Sequence, residues 1–598
     1  MGQQAMTVEK TGAEEIRWDL SDLYESISEL EQALPRIEKE AEQFQKKHKG
    51  KLASYDAAEM AQALQEYEQV HDQAGRAYSF SYLDWTTKTG DAAKGATLQK
   101  VRESYNRVSQ TLLFFELEWI ALPDEKAEQL LQSPALNGYR HYLVLQRRLK
   151  EHVLSEAEEK ILAEKSVTGR SAWNRFFDET LGTARFTLQG EEMGEQEVLA
   201  KLHDSDRDLR RQAALSLTEG LQRTLRETTF VFNTLVADKA SDDRLRNYPH
   251  WLASRNLANQ VSDEAVENLI GVVTSRYDLV ARFYNLKKRL LGYDELFDYD
   301  RYAPIVQSDR RYDWAEARTV VLEAYRAFHP EMARVAEMFF DKDWIDAPVG
   351  RSKRGGAYSH STVPSAHPYV FLNYTGRDRD VQTLAHELGH GVHQYLAREQ
   401  GILHCDTPLT MAETASVFGE MLVFESLRRK EENTANELAM LVGKIDDSMA
   451  TVFRQVSMNR FEARLHTARR EDGELSSERI SELWIEAQGQ MFQGSVTLLD
   501  HYSIWWSYIP HFIHTPGYVY AYAFGELMVM ALFARYREEG ESFAPKYLEL
   551  LTAGGSDWPY ELAGKVGVDL RDPDFWAQGL AAIEALIDKA EELADELA

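Results

Sequence analysis

The chain runs to 598 residues, 44% of them apolar and 28% charged, with only 15 Pro and 34 Gly. That composition excludes fibrous and disordered classes and leaves ample length for several domains and a large core. A formal net charge of −29 excludes a general nucleic-acid binder, whose phosphate contacts need a surplus of Lys and Arg. The single cysteine, Cys405, excludes an internal disulfide framework and suits a reducing compartment.

In chain order, Met1 to Asp19 carries no apolar h-region, and no secretory signal is expected. Helical signals then dominate. Ile27–Phe44, Ala57–Tyr82, Glu156–Leu162, Ala265–Leu291 and Trp314–Phe328 set apolar residues three or four apart among Glu, Lys, Gln and Ala. A mainly α body without a fixed internal repeat is expected. Around Thr183–Gly190, Ala184, Phe186 and Leu188 alternate with Arg185, Thr187 and Gln189, a short strand followed by a turn. A boundary is placed after it, giving an N-terminal helical domain over 1–200 and a second domain over 201–598. From Gly350 to Gly376 the run Pro368–Tyr374, rich in aromatic and β-branched residues, predicts a small sheet set into the helices. This strand is expected to pair with the backbone of an extended peptide. The longest apolar run, near Ala523–Ala534, is interrupted by Glu526 and too short to span a bilayer. A cytoplasmic protein with no membrane partner is the expectation.

The most informative segment follows the sheet. His386-Glu387-Leu388-Gly389-His390 matches H-E-x-x-H. Residues i and i+4 share a helix face, so two imidazoles can converge on one Zn²⁺ while the intervening Glu acts as base on the metal-bound water. His393 falls on the same face as His386 and His390; Leu384, Leu388, Val392 and Tyr395 fall opposite.

A catalytic zinc has three protein ligands and one open position. The metzincin pattern would need Gly at 393 and His at 396, where His393 and Leu396 stand. Thermolysin-like spacing would place a Glu near 409 or 410, occupied by Leu409 and Thr410. Glu399, Asp406, Glu413 and Glu420 remain. A second helix, opening at Thr410 after Pro408 and running back beside the first, would bring Glu413 level with the histidines. Glu420, two turns on, would orient a ligand histidine through its free nitrogen. Thr410-Met-Ala-Glu413 is also a capping-box pattern that needs no metal.

The block Ala385-His-Glu-Leu-Gly-His-Gly-Val-His393, followed by Met411-Ala-Glu-Thr-Ala415, resembles the thimet oligopeptidase family of zinc metallopeptidases, and within it the oligoendopeptidase F branch. Gly355-Gly-Ala-Tyr358, Pro368–Gly376 and the stretch from Ile509-Pro-His-Phe512 through Tyr518 to Gly525 belong to the same likeness, which covers roughly residues 200 to 590. The first 200 residues match only in helical character and length. The resemblance implies a zincin-type helical bundle with a deep substrate channel, one Zn²⁺ ion, and short unstructured peptides as substrates. It matches His386, His390 and Glu413 to the zinc ligands and Glu387 to the catalytic base. It also implies a His and one or two Tyr that steady the oxyanion. Tyr518, after Gly517, fits best, with Tyr522 one turn on; His511 has the Pro-His-Phe context and His514 the spacing to tyrosine. Nine of the 23 residues from Tyr502 to Phe524 are aromatic, which core packing alone would also explain.

A zinc-dependent oligoendopeptidase is the leading expectation. A metallocarboxypeptidase-type exopeptidase would need a cation dedicated to a substrate carboxylate. A catalytically silent peptide-binding protein would have no reason to keep Glu387. His360 and His367 are expected to be ordinary hydrogen-bonded histidines, and Cys405, between the ligand segments, allows a mild thiol sensitivity.

Overall fold

A computed structural model of the chain describes residues 10–305, 310–350 and 352–598. The first half of the Met1–Asp19 stretch, which the sequence reads as free of an h-region, lies outside the described residues. The helices form where the spacing predicts them. Ser26 caps Ile27–His48, Asp56 and Glu59 make a reciprocal capping box on Ala57–Thr86, and Asp313 caps Trp314–Phe328. The first of these carries an interior proline, Pro35. The expected single helix over Ala265–Leu291 is two, Asp263–Ser275 and Tyr277–Leu291, broken at Arg276 with φ −113° and ψ 29°. No Gly or Pro marks that break, so periodicity alone runs through it.

Contacts divide the chain into two units, each drawn from three stretches. Met1–Lys150, Asp309–Arg429 and Arg535–Val568 form the first; Glu151–Ser308, Lys430–Ala534 and Asp569–Ala598 form the second. The strand-and-turn punctuation near residue 190 lies inside the second unit, where β1 (Phe186–Leu188) pairs antiparallel with β2 (Glu191–Met193). The second unit's core gathers Trp484, Trp505, Trp506, Phe232, Phe461 and Phe512 around the 39-residue helix Arg207–Leu245.

The first unit holds a three-stranded sheet, β3 (Ile345–Asp346), β4 (Tyr358–His360) and β5 (Tyr369–Phe371), in the order β3-β5-β4. Strand β5 runs parallel to β3 and antiparallel to β4. Six residues, through which the chain turns, separate β5 from the helix Asp378–Ala397. Asp380 fixes that turn, its carboxylate accepting from the Thr375 and Arg377 N–H groups and from the Thr375 hydroxyl. Among the described residues no helix is long and apolar enough to cross a membrane.

Candidate active site

The Asp378–Ala397 helix buries Leu384, Leu388 and Val392 completely, as its pattern predicts. This leaves His386 and His390 half-buried on another face. His393, expected on that face, is 5% exposed, and burial drives its pKa down to about 3. It is therefore a neutral core imidazole and not part of the open cluster.

The third donor arrives by a route the sequence misread. The helix expected to open at Thr410 is a four-residue turn, Leu409–Ala412, with Pro408 ahead of it; the long helix begins only at Ser416. Glu413 caps the end of the short turn with φ −82° and ψ 0°, so it is not the far half of a capping box. From that break its Oε2 lies 3.4 Å from His386 Nε2 and 3.4 Å from His390 Nε2. Gly389 makes the approach possible. A Cβ there would overlap the Ala415 carbonyl oxygen and lie 2.7 Å from Ser416 Cα. Two buried phenols clamp the pair of segments: Tyr325 OH donates to the Ala385 carbonyl at 2.6 Å and Tyr547 OH to the Thr414 carbonyl at 2.7 Å.

Two imidazole nitrogens and one carboxylate oxygen, all within 4.8 Å of one another, suit a small divalent cation. Tetrahedral ligands at about 2.0–2.1 Å from zinc stand roughly 3.3–3.4 Å apart, and both His–Glu edges match. The electrostatics agree. Burial pulls His386 down, but Glu420, Glu413 and Glu387 outweigh it and hold its pKa at about 9. Burial likewise pushes Glu413 up, yet His390, His386 and the Ser416 hydroxyl bring it to about 2. The set thus demands a positive charge at its centre. Glu420 Oε2 stands 3.4 Å from the other nitrogen of His386, Nδ1, the place for a partner that orients a ligand imidazole.

Glu387 is 7% exposed, and burial raises its pKa above the usual carboxylate range against the pull of His386 and His390. The backbone of Ser359 on β4 pulls in the same downward direction. The strand order corrects the expectation for the sheet. The strand read from Pro368–Tyr374 is β5, the central strand, fully buried and paired on both sides. An added peptide strand has no place on it. The exposed edge belongs to β4, two residues past the Gly355–Gly356 pair. The sheet order depends on partners distant in the chain, so the sequence could name both segments but not rank them. His360, on β4, accepts from the Thr362 N–H; His367 stacks on Trp344 at 3.8 Å and meets Asp22 at 3.0 Å. Both are hydrogen-bonded, as expected. Burial pushes the Cys405 thiol up to about 12, which removes the thiolate that sensitivity would require.

The second unit carries the C-terminal aromatic segment, and the structure sorts it. Tyr502, Trp505, Trp506, Tyr520 and Phe524 are core. Tyr518 and Tyr522 are half-buried, their rings edge-on at 4.9 Å. His511 joins them: its Nε2 is 3.1 Å from Tyr522 OH and its ring is parallel to that of Tyr518. His514 does not. Its Nε2 is instead hydrogen-bonded to Asp178 Oδ1 at 2.8 Å. Glu462, absent from the sequence reading, is buried in the earlier helix Arg454–Glu471 and accepts the Gly517 N–H at 2.9 Å. Gly517 has φ +74°, a conformation glycine adopts without strain, and it sets the entry to Tyr518.

A mainly helical body, with a short sheet against an H-E-x-x-H helix and a third donor from the following segment, defines a metallopeptidase-type enzyme. Residues 200–582 match the family described as Peptidase family M3, and residues 118–186 the one described as Oligopeptidase F. The chain belongs to peptidase family M3. Group B oligopeptidase PepB of Streptococcus agalactiae is 30% identical over 509 residues, 83% of each chain. Oligopeptidase PepF of Bacillus subtilis is 28% identical over 589 residues, 96% of this chain and 87% of that one. The crystal structure of oligoendopeptidase-F from Enterococcus faecium shares the fold, with a TM-score of 0.73 at 24% identity over 95% of this chain and 99% of that one.

Proposed function

We propose that the protein is a zinc-dependent oligoendopeptidase that hydrolyses internal bonds of short, unstructured peptides. The observation that carries the reading is the convergence of His386 Nε2 and His390 Nε2 on Glu413 Oε2 beside the buried Glu387. The names of the PepF and PepB relatives, both oligopeptidases, support the substrate class. In this reading His386, His390 and Glu413 hold the ion. Bound zinc supplies Lewis-acid polarisation of the scissile carbonyl and an acidified water. Glu387 takes the proton of the attacking water at its carboxylate and returns it to the leaving amine. The edge of β4 hydrogen-bonds the substrate backbone in extended form, which fixes orientation while tolerating varied side chains. Tyr518, with His511 and Tyr522 behind it, donates to the carbonyl oxygen as charge develops there. Residues 1–200 act as a flanking helical domain and 201–598 as the catalytic one, a division supported by the family match that begins at residue 200.

The test is metal analysis of the purified protein, followed by chelation and titration with Zn²⁺ while cleavage of a peptide ladder is read by mass spectrometry. About one zinc per chain, loss of cleavage on chelation and its return with zinc are expected. Cleavage that survives complete metal removal would overturn the reading.

A further inference from the structure

The two phenols that clamp the metal-site segments are both fully buried, and each gives one hydrogen bond to a backbone carbonyl. The two carbonyls differ in kind. Tyr325, from Trp314–Phe328, donates to Ala385 inside the 20-residue helix Asp378–Ala397, where the regular i, i+4 ladder already fixes the backbone. Tyr547, from the helix Phe543–Thr552, donates to Thr414 at a break. The turn Leu409–Ala412 has ended there, and the helix Ser416–Lys430 has not begun. All of these segments belong to the first unit.

The bonds around that break show what the hydroxyl does. Val417 N–H donates to the Glu413 carbonyl at 3.2 Å and Gly419 N–H to the Ala415 carbonyl at 2.9 Å. In a continuous helix the Thr414 carbonyl between them would accept from the Phe418 N–H. The helix starts only at Ser416, and the Thr414 carbonyl accepts from Tyr547 OH at 2.7 Å. Leu409 to Lys430 holds no proline and a single glycine, so its local pattern favours one unbroken helix. The interruption is therefore imposed by tertiary contact, and a buried carbonyl turned out of a helix needs another donor. Tyr547 is suited to supply it. Its ring is fixed by Phe418, stacked at 4.3 Å, and by Phe328, edge-on at 5.5 Å. Burial holds its pKa well above the ordinary phenol value, so the hydroxyl keeps its proton. Glu413 comes immediately before Thr414 and reaches both imidazoles from the same break.

We infer that Tyr547 is a positioning residue for the metal site: by holding the Thr414 carbonyl out of the helix that follows, it keeps open the break from which Glu413 meets His386 and His390. It acts through Glu413 and not on substrate, and its role rests on the metal-binding reading above.

The test takes full-length wild type, Tyr547→Phe and Tyr325→Phe, strips each of metal and titrates it with Zn²⁺ against a chromogenic chelator. Each variant loses one buried phenol-to-carbonyl bond and keeps its ring, so each should fold and, when metal-free, melt somewhat below wild type. A purely structural role would treat the two hydroxyls alike. Zinc affinity is expected to fall about 10–100-fold in Tyr547→Phe, the usual loss when an outer partner of a metal ligand is removed, and by less than about threefold in Tyr325→Phe. Co²⁺-substituted protein gives a second readout, because its visible bands report ligand geometry. The bands should change in Tyr547→Phe and match wild type in Tyr325→Phe. Unchanged zinc affinity in Tyr547→Phe, or an equal loss in both variants, would overturn the inference and leave the peptidase reading standing. A wild type that binds no zinc would bring down the peptidase reading and this inference with it.

Discussion

His386, His390, Glu413 and Glu387 crowd one spot, yet their surroundings give them separable tasks. Glu387 is buried and takes no part in the three-donor cluster. Glu387→Gln should therefore keep its zinc while losing about 10²–10⁴-fold in turnover, the usual worth of a general base. His390→Ala should lose metal and activity together. Glu413→Gln should weaken zinc binding markedly while leaving the melting temperature of the metal-free protein within a degree or two, because Glu413 ends the short turn Leu409–Ala412 and is not part of a capping box with Thr410. Metal content and turnover on the three variants decide; loss of zinc from Glu387→Gln as complete as from His390→Ala would refute the roles. The two C-terminal histidines separate in the same way. His511 contacts Tyr522 OH, whereas His514 is held by Asp178. His511→Ala is expected to cost at least tenfold in kcat, and His514→Ala less than twofold. The sequence left these two open because the deciding partner, Asp178, lies 336 residues away in the chain.

Elements show where local pattern stops being sufficient. The i, i+4 histidines and the greasy face of their helix are local properties, and both were legible in the sequence. The position of Glu413 was legible; its backbone was not. Thr410-x-x-Glu413 reads as a helix start, but the close approach at Gly389 requires a break there, and that approach is tertiary. Likewise β5 has the stronger strand composition, and that strength reflects its central, buried place, while the available edge went to the plainer β4. Glu462 sits mid-helix in ordinary-looking sequence, and only its distant partner, the Gly517 N–H, sets it apart. Gly389→Ala tests the close approach directly. Its methyl group must push the Ala415–Ser416 backbone away, carrying Glu413 with it. About 1–3 kcal/mol of stability should be lost, as for other overpacked sites, together with at least tenfold in zinc affinity. Calorimetry and a zinc competition titration measure the two effects, and an unchanged zinc affinity would show that Glu413 does not depend on this contact.

At the scale of the whole molecule, each unit is completed only by chain that arrives late: the first needs residues through Val568 and the second through Ala598. The break near residue 200 is a local signal of strand and turn, whereas the units are defined by contacts between stretches hundreds of residues apart, which composition and periodicity do not encode. The last prediction concerns what this body accepts. Pairing with the edge of β4 requires several substrate residues in extended form with free backbone donors and acceptors. Folded proteins rarely present such a strand, because native sheets cover or blunt their edges. Short flexible peptides present it at the modest cost of ordering a few residues. A ladder of unstructured peptides should accordingly be cut at internal bonds, while a stably folded protein incubated beside it at the same molar concentration stays intact over many turnovers of the peptides. Denaturing and alkylating that protein should expose it to cleavage, which separates the need for extended backbone from any sequence preference. Rapid digestion of the native protein would defeat the edge-pairing argument, and stepwise loss of single terminal residues from the ladder would instead favour an exopeptidase.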